Sequence, residues 1–224
     1  MTNAEIKQLL LRKGVPFLYH ANTVETACTF LENGGLYSRG AIEMRGLSQT
    51  SQISDETDKN VDVFSDIFFD SVDIHQRIGQ LNKYGPVEFV FSIDLLDFLP
   101  EGSIMITKSN PLYWKPNMEE TDRYFLSLGE LEREYIVGRF EQHLTVRHQQ
   151  DPLPFDFIKE ILLDDPGITD TQYFDEAYTR LQELAQSYTP PISVSVRQCP
   201  IGCRCKAQYN SYKLGYFDYK YGCR

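Results

Sequence analysis

Four of the chain's five cysteines lie in its last stretch: Cys199, Cys203, Cys205 and Cys223, with Cys28 far upstream. Four thiolates suit a tetrahedral Zn²⁺. In a reducing compartment a cluster of this kind points to a metal rather than to disulfides. Tyr209, Tyr212, Tyr216, Phe217, Tyr219 and Tyr221 stand among these cysteines, with Lys213 and Lys220 interleaved. Aromatic rings among cations suit the stacked bases and phosphates of single-stranded nucleic acid. The bland alternative is a β-hairpin whose tyrosines pack on the body and whose thiols are free. At the other end, Phe17-Leu18-Tyr19-His20-Ala21-Asn22-Thr23 sets a histidine at the end of an apolar strand. A neutral imidazole there offers one donor and one acceptor to a polar ligand; otherwise it simply closes the strand.

Several of these segments resemble the ADP-ribosyltransferase superfamily. The strand ending in His20, the helix after it and the Gly35-Leu36-Tyr37-Ser38-Arg39 turn resemble the superfamily's opening, and the turn is similar to the "GLLSR" of the DarT-type nucleic-acid ADP-ribosyltransferases. The aromatic strand Ile67-Phe68-Phe69-Asp70 resembles the central strand of that type. It departs from the family's Asn-Pro-Arg by reading Asp70-Ser71-Val72, so Arg77, one helical turn on, is the candidate cation for pyrophosphate. The resemblance implies an NAD site made by His20, Asn22, Thr23, Tyr37 and Arg77, with Phe68 and Phe69 as further rings for nicotinamide. It also implies a catalytic glutamate at the start of a late strand. Glu141 in Arg139-Phe140-Glu141-Gln142-His143 fits by order, and Glu134 in Glu134-Tyr135-Ile136-Val137 is its rival, resembling the "EYIV" of poly-ADP-ribose polymerases. Breaking the nicotinamide–ribose bond develops positive charge on the sugar, which a carboxylate stabilises more as that charge grows.

These groups need a scaffold, and the chain of 224 residues is long enough for one full core with a small appendage. The pattern predicts helices over 4–13, 23–32, 72–81, 119–137 and 170–187, and strands over 15–20, 63–69, 87–93, 103–107, 140–147 and 157–163. Residues 38–62 read as a long polar loop. The order is α+β, and the resemblance implies the ADP-ribosyltransferase fold, mixed sheets with flanking helices. The charge divides the chain into a body, 1–188, and a Cys- and Tyr-rich tail, 189–224. The tail has six basic residues against one acidic, a charge of +5, which leaves −15 of the overall −10 in the body.

An acidic body argues mildly against nucleic acid as a partner, and the basic tail argues for it. Hydrophobic residues at 42% and charged residues at 24% are ordinary for a soluble domain. No apolar run reaches the roughly 18–20 residues of a membrane span, so the expectation is a cytoplasmic protein with no membrane contact. The resulting expectation is an NAD-dependent mono-ADP-ribosyltransferase toxin acting on RNA or DNA, with an antitoxin as partner, in a toxin–antitoxin or phage-defence setting. A protein-modifying transferase, an NAD hydrolase and a non-enzymatic nucleic-acid-binding module are its rivals.

Overall fold

The computed structural model describes residues 1–168, 172–211 and 214–223. Helix α1 (Asn3–Arg12) opens on a capping box, in which the Thr2 hydroxyl accepts from the Glu5 amide and the Glu5 carboxylate from the Thr2 amide. Strand β1 (Phe17–Asn22) runs into Thr23, whose hydroxyl caps α2 (Val24–Glu32). Next come β2 (Gly35–Leu36), α3 (Arg39–Arg45), α4 (Asp55–Asn60), β3 (Ile67–Phe69), α5 (Ile74–Ile78) and β4 (Val87–Ser92). Then α6 (Leu95–Phe98), β5 (Ile104–Ile106), α7 (Glu120–Arg123), α8 (Leu128–Glu134), β6 (Leu144–Val146) and β7 (Leu153–Pro154) lead to β8 (Ile158–Asp164). The chain closes with α9 (Gln172–Gln186), β9 (Val194–Arg197), α10 (Cys205–Ser211) and α11 (Leu214–Tyr221).

The strands form a four-stranded sheet in the order β1-β4-β8-β9, a three-stranded sheet β3-β6-β5, and the pair β2-β7. All ladders are antiparallel except β8 with β9. All six residues of β4 are buried, as its imperfect alternation predicts for a strand covered on both faces. Its Phe89 stacks on Phe155 at 5.8 Å, and Phe91 on the same ring at 6.2 Å. Replacing any of these rings by alanine costs about 3–5 kcal/mol.

One contact decides where the site lies. Tyr19 in β1 and Asp70 just after β3 exchange backbone hydrogen bonds of 3.0 and 2.8 Å. This single bridge stitches the end of one sheet to the edge of the other, so His20 and Asp70 face a common space. Gly85 lets the next turn approach the same corner, since a Cβ there would sit 2.0 Å from the Asn22 carbonyl oxygen.

Two sequence expectations are corrected. Residues 38–62 are not one loop: Ser38 caps α3, Gly46 ends it at φ 64°, and α4 follows. Helix α4 buries none of its residues, which is why no apolar period announced it. The single helix expected over 119–137 is two, because Tyr124 and Phe125 leave it to bond to β5, the Phe125 amide donating to Ile106 at 3.0 Å.

The tail, from residue 189 on, is tied closely to the body among the described residues. β9 extends the main sheet beside β8, and α11 packs on α2 and α9. Tyr209, Phe217 and Tyr221 are buried and in mutual ring contact at 5.7–6.0 Å. Lys220 is buried too, its ammonium donating to the Lys83 carbonyl, and burial pulls its pKa down to about 8. Of the aromatic run, Tyr209, Phe217 and Tyr221 thus belong to the core and Tyr216 is half-buried; Tyr219 is exposed, and its hydroxyl donates to the Ser51 carbonyl. Tyr212, Lys213 and Arg224 lie outside the described residues.

Candidate active site

The end of β1, the turn into α3, α4 and the Asp70 corner enclose a cleft of about 1070 Å³, its open mouth included. His20, Asn22, Tyr37, Arg39, Asp70 and His143 are among its walls. His20 is fixed from behind: its Nδ1 lies 2.8 Å from the Phe68 carbonyl oxygen, and its ring is flanked by Phe30 and Phe69. A carbonyl can only accept, so Nδ1 carries the proton and Nε2 is an acceptor. That Nε2 is covered from solvent and has no partner among the described residues. Burial lowers the His20 pKa, outweighing the Phe68 carbonyl and Asp70, which favour the charged ring.

Arg39 is the second such group. Its Nε and Nη2 clamp Asp55 at 2.5 and 2.8 Å, and Nη2 also donates to the Thr50 carbonyl at 3.1 Å. Its Nη1 is buried without a partner. Buried polar groups nearly always find partners inside a protein, so two orphans on one cleft mark where a ligand's polar atoms belong.

Asp70 forms the far wall. Arg77 Nη1 lies 2.5 Å from Asp70 Oδ1, and His143 Nδ1 lies 3.4 Å from the same oxygen. Burial would raise the Asp70 pKa, but His143 and Arg77 together hold it below the ordinary value, so it is anionic. With Nδ1 turned to Asp70, the ring nitrogen of His143 left for a bound molecule is Nε2. Phe68 and Phe140 meet its ring edge-on at 6.1 and 6.2 Å and hold its plane. Asp66, a third acid on the cleft, is pushed up to about 7 by burial, against the pull of Arg147.

The expected residues are placed unevenly. His20, Asn22 and Tyr37 line the cleft; Thr23 turns away to cap α2 and bond the Thr50 hydroxyl at 2.8 Å. Arg77 stands behind Asp70, with Nη1 on that carboxylate and the guanidinium 5.1 Å from the Phe140 ring, while its Nε and Nη2 are buried without a partner among the described residues. Neither expected glutamate lines the cleft. The turn before β6 points Phe140 and His143 inward and Glu141 outward, 38% exposed and 3.3 Å from Arg139. Glu134 ends α8 and pairs with Arg133 at 2.8 Å. Sequence reading passed over Arg39, Asp70 and His143 as site residues, although each lay inside a quoted segment.

The cysteines are divided as well. Cys199, Cys203 and Cys205 gather with His75 of α5, and these four can hold a metal ion. Cys223 is not with them; its sulfur lies 2.8 Å from that of Cys28. The expected four-thiol set is therefore replaced by three thiols and an imidazole, because α11 carries Cys223 to the α2 side of the sheet.

Among solved structures the chain is similar to DarT of Thermus sp. 2.9 in complex with ADP-ribosylated ssDNA, with 13% identity, 82% of this chain and 95% of that one covered, and a TM-score of 0.51. The chain has the DarT fold. The same DarT in complex with NAD⁺ is matched at 14% identity, 82% and 96% coverage and a TM-score of 0.46. DarTG of Thermosipho africanus in complex with ADP-ribose is matched at 12% identity, 80% and 49% coverage and a TM-score of 0.43. No protein-family model matches the sequence, and no curated protein does. The α+β expectation and the DarT-like layout thus agree with the fold.

Proposed function

We propose that the chain is an NAD-dependent mono-ADP-ribosyltransferase whose acceptor is single-stranded nucleic acid. The observation that carries this reading is the pair of orphaned cleft atoms, His20 Nε2 and Arg39 Nη1, on a fold shared with a DarT that was solved with ADP-ribosylated ssDNA. His20 Nε2 accepts from a ribose hydroxyl, and Arg39 Nη1 donates to the pyrophosphate, for which a guanidinium is the fitting cation. Asn22 and Tyr37 complete that wall.

Asp70 and His143 take the roles first given to Glu141 and Glu134. As the C1′–N bond breaks, its electron pair leaves with neutral nicotinamide and positive charge builds on the ribose. The anionic Asp70 stabilises that charge. The acceptor attacks C1′ and gives its proton to His143 Nε2, while Asp70 steadies the ring through Nδ1. The acceptor in this reading is a base in DNA; RNA is the second choice. A chain that modifies the nucleic acid of its own cell needs an antagonist, so the reading extends to a cytoplasmic toxin with an antitoxin, in a toxin–antitoxin or phage-defence role.

The test is transfer of label from radiolabelled NAD into separate pools of single-stranded DNA, single-stranded RNA and lysate protein. We expect label in DNA, a loss of about 10²–10⁴-fold in His143→Gln, and less than about threefold in Glu141→Gln, as for a surface charge. Label in the protein pool alone would make the chain a protein-modifying transferase, and free ADP-ribose alone would make it an NAD hydrolase. With no nicotinamide released under any condition, the enzyme reading fails and the binding module stands. A Glu141→Gln loss as deep as that of His143→Gln would return the catalytic role to the glutamate.

A further inference from the structure

The sulfurs of Cys199, Cys203 and Cys205 and a ring nitrogen of His75 all lie within 4.8 Å of one another. Cys199 Sγ is 3.1 Å from Cys205 Sγ, and Cys203 Sγ is 3.3 Å from His75 Nδ1. Donors at the corners of a tetrahedron around Zn²⁺, about 2.0–2.3 Å from the metal, stand roughly 3.3–3.8 Å apart. The four atoms are thus nearly at coordination spacing already. The loop from Cys199 to Cys205 turns through Gly202 at φ 87°, which lets three sulfurs from seven residues point at one centre.

The histidine is set for this role from outside the cluster. Its Nε2 lies 3.3 Å from Asp164 Oδ2, and both side chains are only 1% exposed. Asp164 is itself held by Arg197, Nε to Oδ1 at 2.9 Å. A carboxylate on one imidazole nitrogen fixes the tautomer, so the other nitrogen, Nδ1, presents its lone pair; metal-bound histidines are oriented in this way. Here Nδ1 is the atom that faces the sulfurs.

We propose that His75, Cys199, Cys203 and Cys205 bind one Zn²⁺ in a closed four-coordinate site, with Asp164 as the outer partner of the histidine. Three thiols lose their protons to solvent as the ion enters, giving three thiolates, one neutral imidazole and one Zn²⁺. With no open position the ion has a structural role. It fastens the turn between β9 and α10 to α5. That helix also carries Arg77, two residues past the ligand, so the metal steadies the cation that holds Asp70 at the cleft. The assignment does not depend on the cleft's function.

The decisive measurement is metal content after purification in reductant, with each variant's fold checked by circular dichroism. We expect about one zinc per chain in the wild type and in Cys223→Ser. We expect less than about a tenth of that in His75→Ala and Cys203→Ser, and retention in His75→Cys, which rebuilds a four-donor site. Cobalt in place of zinc should give the visible bands of a tetrahedral ion and a thiolate charge-transfer band, both altered in His75→Cys. Should His75→Ala not fold, chelation of the wild type decides: the thermal midpoint should fall and return on adding zinc, not magnesium. A folded wild type that neither holds nor takes up zinc overturns the site. So does a Cys199–Cys205 disulfide in the freshly reduced, aerobically kept protein in place of metal. Full occupancy in His75→Ala would remove the histidine from the ligand set.

Discussion

Two buried polar clusters sit on either side of α5, and they are built on opposite terms. Behind the helix, Arg197 of β9 meets Asp73 at 2.7 Å, Asp164 at 2.9 Å and Glu88 in a closer contact still, all with side chains 16% exposed or less. Each of the three carboxylates there is ion-paired with the one guanidinium, though Arg197 Nε and Asp164 Oδ1 meet without hydrogen-bond geometry. In front, on the cleft, His20 and Arg39 each keep a buried nitrogen with no partner among the described residues, and Asp70 and His143 look onto open volume. Polar groups that satisfy one another serve the fold; polar groups held rigid yet unsatisfied are left for something that binds.

The largest effect that would test this contrast is at Arg197. Burial drives Glu88 up to about 8, and the Arg197 cation is what opposes that drift. Arg197→Ala leaves Glu88, Asp73 and Asp164 facing each other without a cation. The expected loss is about 3–5 kcal/mol of unfolding free energy, as for other broken buried ion pairs, read as a large fall in the urea midpoint. Arg197→Lys should recover part of it. An unchanged midpoint in Arg197→Ala would mean that the cluster is not holding the β4-β8-β9 sheet together.

His20→Ala makes the complementary case. It removes one hydrogen bond to Phe68, worth about 1 kcal/mol, and the ring packing against Phe30 and Phe69, so the urea midpoint should fall, but by less than in Arg197→Ala. Its effect on NAD binding should be tenfold or more, since the side chain's free nitrogen has no other use. Isothermal titration with NAD beside the denaturation curve separates the two numbers. If stability collapsed and affinity held, His20 would belong with Arg197 as a structural group.

How far the sequence foretold each cluster follows from what a linear pattern can encode. Caps and buried strands are local, so Thr23 before α2 and the apolar run of β4 were readable, as was the strand carrying His20, though it runs two residues further, to Asn22. The back cluster joins β4, β8, β9 and α5, and no spacing along the chain relates Glu88 to Arg197 or His75 to Cys203. Composition was ambiguous in the tail, because tyrosines among lysines describe a stacking surface and a packed helix pair equally well; Tyr209 and Tyr221 are core, and Tyr219 is exposed. At the cleft, the reading from order along the chain named glutamates near a late strand and not the histidine two residues on, which lines the cleft. The direction of a turn put Phe140 and His143 inside the cleft and Glu141 outside it.

The smallest effect is one of titration, and it tests whether the front cluster is as dry as its orphaned atoms imply. Burial lowers the His20 pKa from its ordinary 6.5. The unfolded chain therefore takes up this proton before the folded one as pH falls. The stability that His20 contributes is whole above pH 6.5, declines below it, and levels off once pH passes the lower folded-state value. The neutral ring, with Nε2 free to accept, should accordingly persist below pH 6.5, and NAD affinity should hold over that same range. The chain has four histidines, so imidazole NMR resonances followed from pH 8 to 5 and assigned with His20→Asn suffice. A His20 resonance that titrates at or above 6.5 would show water reaching Nε2, and the orphaned nitrogen would then be a solvated one rather than a site waiting for a ribose.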